Sequence, residues 1–192
     1  MAYHHGNLRD DLLAAAETAL GTVGADGISL RSLARDLGVS HAAPAHHFRD
    51  KQALLDALAV EGFTRLADRV ESGDTPGRPF RERLDAMTRT YVGFAVDHEP
   101  LLALMLGTKH HPDATEELGA AAARGTLVAV DLIAAGQRAG EVREGDPYTL
   151  AIVAAAQVHG VATLAARGLL GGLPLDVAIS TTVDLVFRGL SA

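Results

Sequence analysis

The stretch LARDLGVSHAAPAHHF, residues 33–48, contains two short segments of helical composition on either side of a Gly-Val-Ser turn. The first segment carries Leu and Ala at helical spacing, and the second is mostly Ala and His. Gly38 is a typical residue just past a helix C-terminus, and Ser40 is a preferred N-cap. The pattern therefore predicts two helices joined by a turn of three or four residues, which is a helix-turn-helix.

The second segment, Ser40–Phe48, has a composition suited to a nucleic-acid groove. The DNA major groove, about 12 Å wide, admits one α-helix, and small side chains let the helix backbone approach the base edges. We therefore predict an α-helix over these residues that reads DNA. The neighbouring groups expected to hold phosphates are Ser29, Arg31, His47, Lys51 and the backbone amides of the helix that Asp50 caps.

Apolar residues recur at helical spacing along most of the chain, and no alternating strand pattern is bounded by hairpin turns. The sequence predicts an all-α fold of about nine helices. The first helix should stop at Gly24, Ser29 should cap the second, and Pro44 must lie in the first turn of the third. The helices expected after residue 79 cover about 80–97, 99–106, 113–139, 146–169 and 174–189.

Residues 72–79, SGDTPGRP, interrupt the helical pattern with two Gly and two Pro. Gly and Pro are the strongest local signals of a chain break, so we place a domain boundary there. The predicted domains are 1–71, a three-helix unit with the helix-turn-helix, and 80–192, a helical bundle.

The composition narrows the possible functions. The chain has no Cys, which excludes disulfides, Cys-ligated zinc and thiol nucleophiles and suits a cytoplasmic protein. No export signal is visible, and no cofactor is expected. The net charge of −7 argues against a protein that coats nucleic acid non-specifically, because such binding needs broad positive potential. It still allows a small local surface that contacts nucleic acid.

One charge-free segment, 147–166, approaches the length of a membrane-spanning helix. It is mostly Ala and Val and contains Gln157 and His159, so we do not expect it to contact a membrane. We expect its own domain or a second copy of the chain to cover it.

YHHGNLRDDLLAAAETAL, 3–20, and GISLRSLARDLGVSHAAPAHHFRDKQALLDAL, 27–58, closely resemble the N-terminal DNA-binding domain of the TetR family of bacterial repressors. The resemblance covers residues 3 to about 66. The family commonly has an aromatic residue, often Tyr, where this chain has Ala45. The DNA-binding residues that the resemblance and the groove argument together imply are Ser29, Arg31, Ser40, His41, Ala42, Ala43, His46, His47 and Lys51.

The resemblance implies that 80–192 is a ligand-binding and dimerisation domain. AAQVHG, 155–160, is similar to a subclass that carries Trp one turn before a His-Gly pair, with Ala155 in the Trp position. An apolar cavity with a few polar groups is expected in this domain. Its candidate lining residues are Met87, Tyr91, Phe94, His98, Met105, Gln157 and His159.

The function predicted from these observations is a homodimeric, ligand-responsive DNA-binding transcriptional regulator. It is expected to be a repressor that a small molecule releases from a near-palindromic double-stranded operator. No nucleophile elbow, phosphate loop or dinucleotide fingerprint is present, so we predict that the chain is not an enzyme.

Two alternatives stay open. The first is a helical small-molecule or metal-binding module without DNA binding, and the second is a metalloenzyme that uses His98, His110 and His159. The spacing of the nine His residues argues against a metal site, because no pair at i, i+4 accompanies a carboxylate motif. An N-terminal arm of Tyr3, His4 and His5 in the minor groove is a further possibility.

Overall fold

The structure, a computed structural model, describes residues 8–109 and 114–192. Within these ranges the chain forms eight α-helices and one 3₁₀ helix, and the predicted all-α fold is confirmed. The helices are α1 (Leu8–Gly27), α2 (Leu30–Asp36), the 3₁₀ helix (Ala43–His46), α3 (Lys51–Gly73), α4 (Phe80–Asp97), α5 (Glu99–Thr108), α6 (Glu116–Arg138), α7 (Pro147–Ala166) and α8 (Leu175–Leu190).

The described residues form two compact units. The first contains residues up to 62 and those of 100–120, and the second contains 63–99 and 121–192. Residues of α3 therefore belong to both units. The boundary expected at 72–79 stays a prediction.

The start of the first unit follows the expected caps. Gly24 interrupts α1 with φ 68° and ψ 172°, where the first helix was expected to stop. The Ser29 side chain caps α2 by accepting a hydrogen bond from the Ser32 amide at 3.1 Å. Gly38 takes φ 69°, a left-handed conformation that only Gly adopts readily, so it ends α2 as predicted.

The predicted α-helix over Ser40–Phe48 is wrong in length and type, because only the 3₁₀ helix Ala43–His46 forms there. Pro44 lies at its start and supplies no amide hydrogen, which limits the helical hydrogen bonds available to such a short segment. The turn instead closes through the Ala43 amide to the Ser40 carbonyl at 2.9 Å and the His47 amide to the Pro44 carbonyl at 3.0 Å. A tight 3₁₀ geometry is common in short connectors of this kind.

The second unit is built on α4, α7 and α8, which pack against one another in all three pairings. The side chains of Phe80, Phe94 and Val92 from α4 are almost fully buried. An isolated antiparallel bridge joins Val142 to Ser191 near the end of α8. The predicted helix over 80–97 matches α4, and the other predicted ends differ by a few residues.

Two helices of the described part, α6 and α7, are long and apolar enough to cross a membrane, with mean hydropathies of 1.5 and 1.6. In the apolar 18-residue stretch of each helix, less than a third is buried within the chain. Length and composition alone do not distinguish a membrane span from a helix that packs in a protein core.

Candidate nucleic-acid interface

The reading segment, defined here as residues 40–47, is fixed by two apolar anchors. Pro44 is buried, and the Phe48 ring that follows the segment is only 3% exposed. The Arg9 guanidinium lies 5.7 Å from the centre of the Phe48 ring, so α1 supports this anchor. Pro44 and Phe48 therefore hold the segment in place, while its polar side chains remain outside the core.

The predicted DNA-binding residues lie close together in sequence and mostly at the surface of the first unit. Ala43 and Lys51 are half-buried. The exposed members are Ser29, Arg31, Ser40, His41, Ala42, His46 and His47. Ala45, which stands where the family that the sequence resembles commonly has an aromatic residue, is also exposed.

Lys51 has an intramolecular role that the sequence did not reveal. Its Nζ donates a hydrogen bond of 2.8 Å to the carbonyl of Asp26, in the last turn of α1. A cation at a helix C-terminus interacts favourably with the unpaired carbonyls there. An ammonium has three donors, so two remain for a phosphate.

Asp50 caps α3 as predicted. Its Oδ1 accepts a hydrogen bond of 2.8 Å from the Ala53 amide, and its Oδ2 accepts one of 3.1 Å from Arg49. The cap fixes the start of α3 directly after the reading segment. Arg49 is partly neutralised by the same carboxylate.

The local charge is positive although the whole chain is negative. Residues 29–51 contain four Arg or Lys side chains and two carboxylates, before any His is counted. Arg35 pairs with Asp36 at 3.5 Å and is exposed. Salt bridges at such exposed sites contribute little to stability, so these cations stay available to an anion.

The candidate effector residues are only partly brought together. In the second unit, the Tyr91 hydroxyl and His159 Nδ1 lie 2.9 Å apart, at hydrogen-bonding distance. His159 Nε2 also lies 3.4 Å from the Thr163 hydroxyl. Burial raises the pKa of Tyr91 to about 12, because the phenolate would lose its hydration.

The other candidates have different surroundings. Phe94 is buried, and the centres of the Phe94 and His98 rings lie 4.8 Å apart. Met87 is half-buried and Gln157 is exposed. Met105 lies in the first unit and packs so closely on Gly62 that a Cβ there would come within 2.7 Å of its sulfur.

The second unit also contains a cavity of about 240 Å³ that the sequence did not predict. None of the seven candidate effector residues lines it. Its walls include Phe80, Arg83, Gly136 and Glu141. Glu141 accepts a hydrogen bond of 2.9 Å from the Phe80 amide, and Arg83 pairs with Asp74 at 2.7 Å, so its polar groups already have partners.

No cluster of three or more potential metal ligands occurs among residues 8–109 and 114–192. The proposed arm of Tyr3, His4 and His5 lies outside the described residues, as do His110 and His111.

Two family models match the chain. The model for bacterial regulatory proteins of the tetR family matches residues 12–58. The tetracyclin repressor-like C-terminal domain matches 84–186, which is more than half of the 192 residues.

Individual relatives agree with these matches. The HTH-type transcriptional regulator Rv1816 of Mycobacterium tuberculosis is 33% identical over 130 residues, covering 64% of this chain and 54% of that protein. The tetracycline repressor protein class A from transposon 1721 of Escherichia coli is 52% identical over 110 residues, covering 41% and 51%. The chain thus spans about half the length of the curated relatives it matches.

A solved structure from Rhodococcus sp. RHA1, described as a protein with unknown function, is 46% identical. It aligns with a TM-score of 0.92 and covers 100% of both chains. The fold of the described residues is therefore one already observed in a related protein of solved structure. On the C-terminal match, which spans more than half of its length, the chain belongs to the TetR family of bacterial regulatory proteins.

Proposed function

We propose that the chain is a cytoplasmic, homodimeric transcriptional regulator that binds DNA through its reading segment and is released from it by a small molecule. The observation that carries the proposal is the exposed reading segment, anchored by buried Pro44 within it and by Phe48 directly after it, just before the capped start of α3. His41, His46 and His47 are exposed in this segment and therefore accessible to a DNA groove. The printed names of the relatives describe transcriptional regulators and repressors rather than enzymes, and they favour repression.

The apolar surface of α7 and α8 supports the homodimer. Exposed apolar side chains on neighbouring helices commonly mark an interface, and a twofold dimer buries the same surface on both copies. This explanation also accounts for α7 without a membrane. The exposed apolar side chains of α7, α8 and the loop between them are Tyr148, Ile152, Val153, Leu164, Leu169, Leu173, Leu175, Val177 and Leu185.

For the effector we propose a mostly apolar small molecule that contacts the Tyr91–His159 pair. The pair offers one hydroxyl and one imidazole next to buried apolar residues, a combination typical of ligand pockets. His159 lies one turn after Ala155, the position of Trp in the similar subclass, and we propose that this chain is a variant of that subclass.

Helix α3 offers a physical link between effector and DNA. Its start, Lys51, lies beside the reading segment, and its later residues Asp68 and Glu71 pair with Arg124 of α6 at 2.7 and 2.5 Å. A ligand that moves α6 would therefore also move the part of α3 that is paired with Arg124. Such a ligand changes DNA affinity only if it binds the two states differently, typically by about 1–3 kcal/mol.

The DNA proposal is tested by selecting duplexes from a random-sequence pool with the wild-type chain. We expect the selected sites to be near-palindromic, with half-sites about 34–36 Å apart along the duplex. Arg31→Gln should weaken binding to a selected site, whereas the matched variant Arg138→Gln, an exposed arginine on α6, should not. Failure to enrich any sequence, or equal loss in both variants, would contradict the proposal and favour a module without DNA binding.

The dimer is tested separately by sedimentation at micromolar concentration. We expect a mass of two chains, since one chain is 20.0 kDa. Val153→Asp on the exposed face of α7 should shift the species to the monomer, while Arg138→Gln should leave the dimer intact. A monomeric wild-type chain would contradict this part of the proposal.

The effector is tested with a library of apolar small molecules in a thermal-shift assay. Compounds that stabilise the wild-type chain should lower its DNA affinity, and His159→Gln should reduce their effect. Compounds that stabilise both proteins equally would place the effector elsewhere, the 240 Å³ cavity being the next candidate.

A further inference from the structure

Three of the eight residues in the reading segment are histidines, and all three are exposed. They are His41, His46 and His47. Within residues 8–109 and 114–192, none of them forms an ion pair or a side-chain hydrogen bond with another described side chain. Histidine is the side chain whose charge normally changes between about pH 5 and 8. The segment can therefore gain up to three positive charges without moving.

The permanent charges around the segment are few, and several already have partners. Arg35 and Arg49 each pair with a neighbouring Asp, and the Lys51 ammonium donates to the Asp26 carbonyl. Four cationic side chains against two carboxylates give residues 29–51 a net charge of +2, and protonation of the three histidines would raise it to +5. The histidines are thus the largest adjustable part of the local charge.

The 3₁₀ helix packs against α1 and α2 and is followed by the start of α3. Charged residues lie at the start of α1, on α2 and in the connection to α3. They are Arg9, Asp10, Asp11, Arg31, Arg35, Asp36, Arg49, Asp50 and Lys51. Carboxylates and cations are both present in this set, and all of these residues except Asp11 and Lys51, which are half-buried, are exposed.

We propose that His41, His46 and His47 are phosphate-binding residues, and that DNA binding by this chain takes up protons and tightens as the pH falls. This inference rests on the proposed function and names how that site is regulated. A protonated imidazole can form an ion pair with a phosphate oxygen, whereas the neutral ring offers a single uncharged donor. Because DNA phosphates stay ionised over this range, acidification strengthens the attraction from the protein side alone.

The size of the effect follows from counterion release. Each phosphate that a cation neutralises steepens the dependence of log affinity on log salt by about 0.9. Three protonated histidines would therefore steepen that slope by up to about 2.7. At moderate salt we expect the affinity to rise about tenfold or more in total between pH 8 and pH 5.5.

The experiment is a fluorescence-anisotropy titration of a selected duplex at constant ionic strength, repeated across this pH range. Wild-type affinity should rise on acidification, and its salt dependence should steepen. The triple variant H41Q/H46Q/H47Q should lose most of both effects. Arg138→Gln, at an exposed position on α6, should keep them, and circular dichroism at each pH checks that every variant stays folded.

A variant with a fixed charge gives an independent test. His47→Arg should bind more tightly than wild type at pH 8 and show a smaller change on acidification. Wild-type binding that is independent of pH, or pH dependence that survives in the triple variant, would overturn the inference and leave the proposed function standing. Absence of DNA binding at every pH would overturn both.

Discussion

Replacing Lys51 tests whether one side chain serves both folding and DNA binding. Lys51 Nζ donates to the Asp26 carbonyl at 2.8 Å and joins the start of α3 to the end of α1. A hydrogen bond from a charged donor contributes about 1.5–3 kcal/mol when buried, and a cation at an exposed helix C-terminus about 0.3–1 kcal/mol. Because Lys51 is only half-buried, we expect Lys51→Ala to lower the free energy of unfolding by about 1 kcal/mol.

The assay is urea unfolding at one fixed protein concentration, because dimerisation makes stability depend on concentration. A loss of this size corresponds to a fall in Tm of about 2–4 °C for a chain of this length. DNA affinity should fall as well, so Lys51→Ala does not report on phosphate binding alone. Lys51→Arg keeps the charge and should lose less of both. An unchanged unfolding midpoint in Lys51→Ala would refute the structural role and return Lys51 to a purely DNA-facing one.

Substitutions at Gly62, Asp50 and Tyr91 test packing, capping and the effector pair. Gly62→Ala should destabilise the chain by about 1–3 kcal/mol, because the new Cβ would lie 2.7 Å from the Met105 sulfur. The control Gly125→Ala, where a Cβ meets open space on α6, should stabilise the chain by up to about 1 kcal/mol. Equal effects of the two substitutions in thermal unfolding would contradict this prediction. Asp50→Ala should cost about 1 kcal/mol by removing the cap of α3, and Asp50→Asn should restore most of it in the same measurement. Tyr91→Phe should cost about 1–3 kcal/mol in urea unfolding, since it removes the hydroxyl partner of His159 Nδ1. Folding raises the pKa of Tyr91 from about 10 to about 12, so the folded state holds the phenol proton more tightly than the unfolded state does. The wild-type chain should therefore lose stability as the pH rises from about 10 to 12, and Tyr91→Phe should lose less.

The local signals in the sequence predicted the helices well because they act over a few residues. Ser29, Gly38 and Asp50 sit at helix ends for reasons that are visible in the chain itself, namely a capping oxygen or a left-handed backbone. The 3₁₀ helix was missed because two effects compete there. Ser40 favours a helix start, but Pro44 limits the hydrogen bonds that follow.

Contacts between distant residues were harder to predict. The bond from Lys51 to Asp26 spans 25 positions, and no spacing rule indicates it. Met105 was assigned to the effector site from its chemistry, yet it packs on Gly62 in the other unit. The Tyr91–His159 pair was predicted only as two members of a broad set, because helical periodicity gives a face but not the partner that covers it.

Tethered cleavage shows whether the reading segment enters the DNA major groove. The chain has no Cys, so Ala45→Cys, at an exposed site in the reading segment, accepts a single iron chelate. On a selected duplex we predict two clusters of cleavage about one helical turn apart, and only background cleavage from Ala156→Cys on α7. Background cleavage from Ala45→Cys on DNA that the labelled protein still binds would contradict the account.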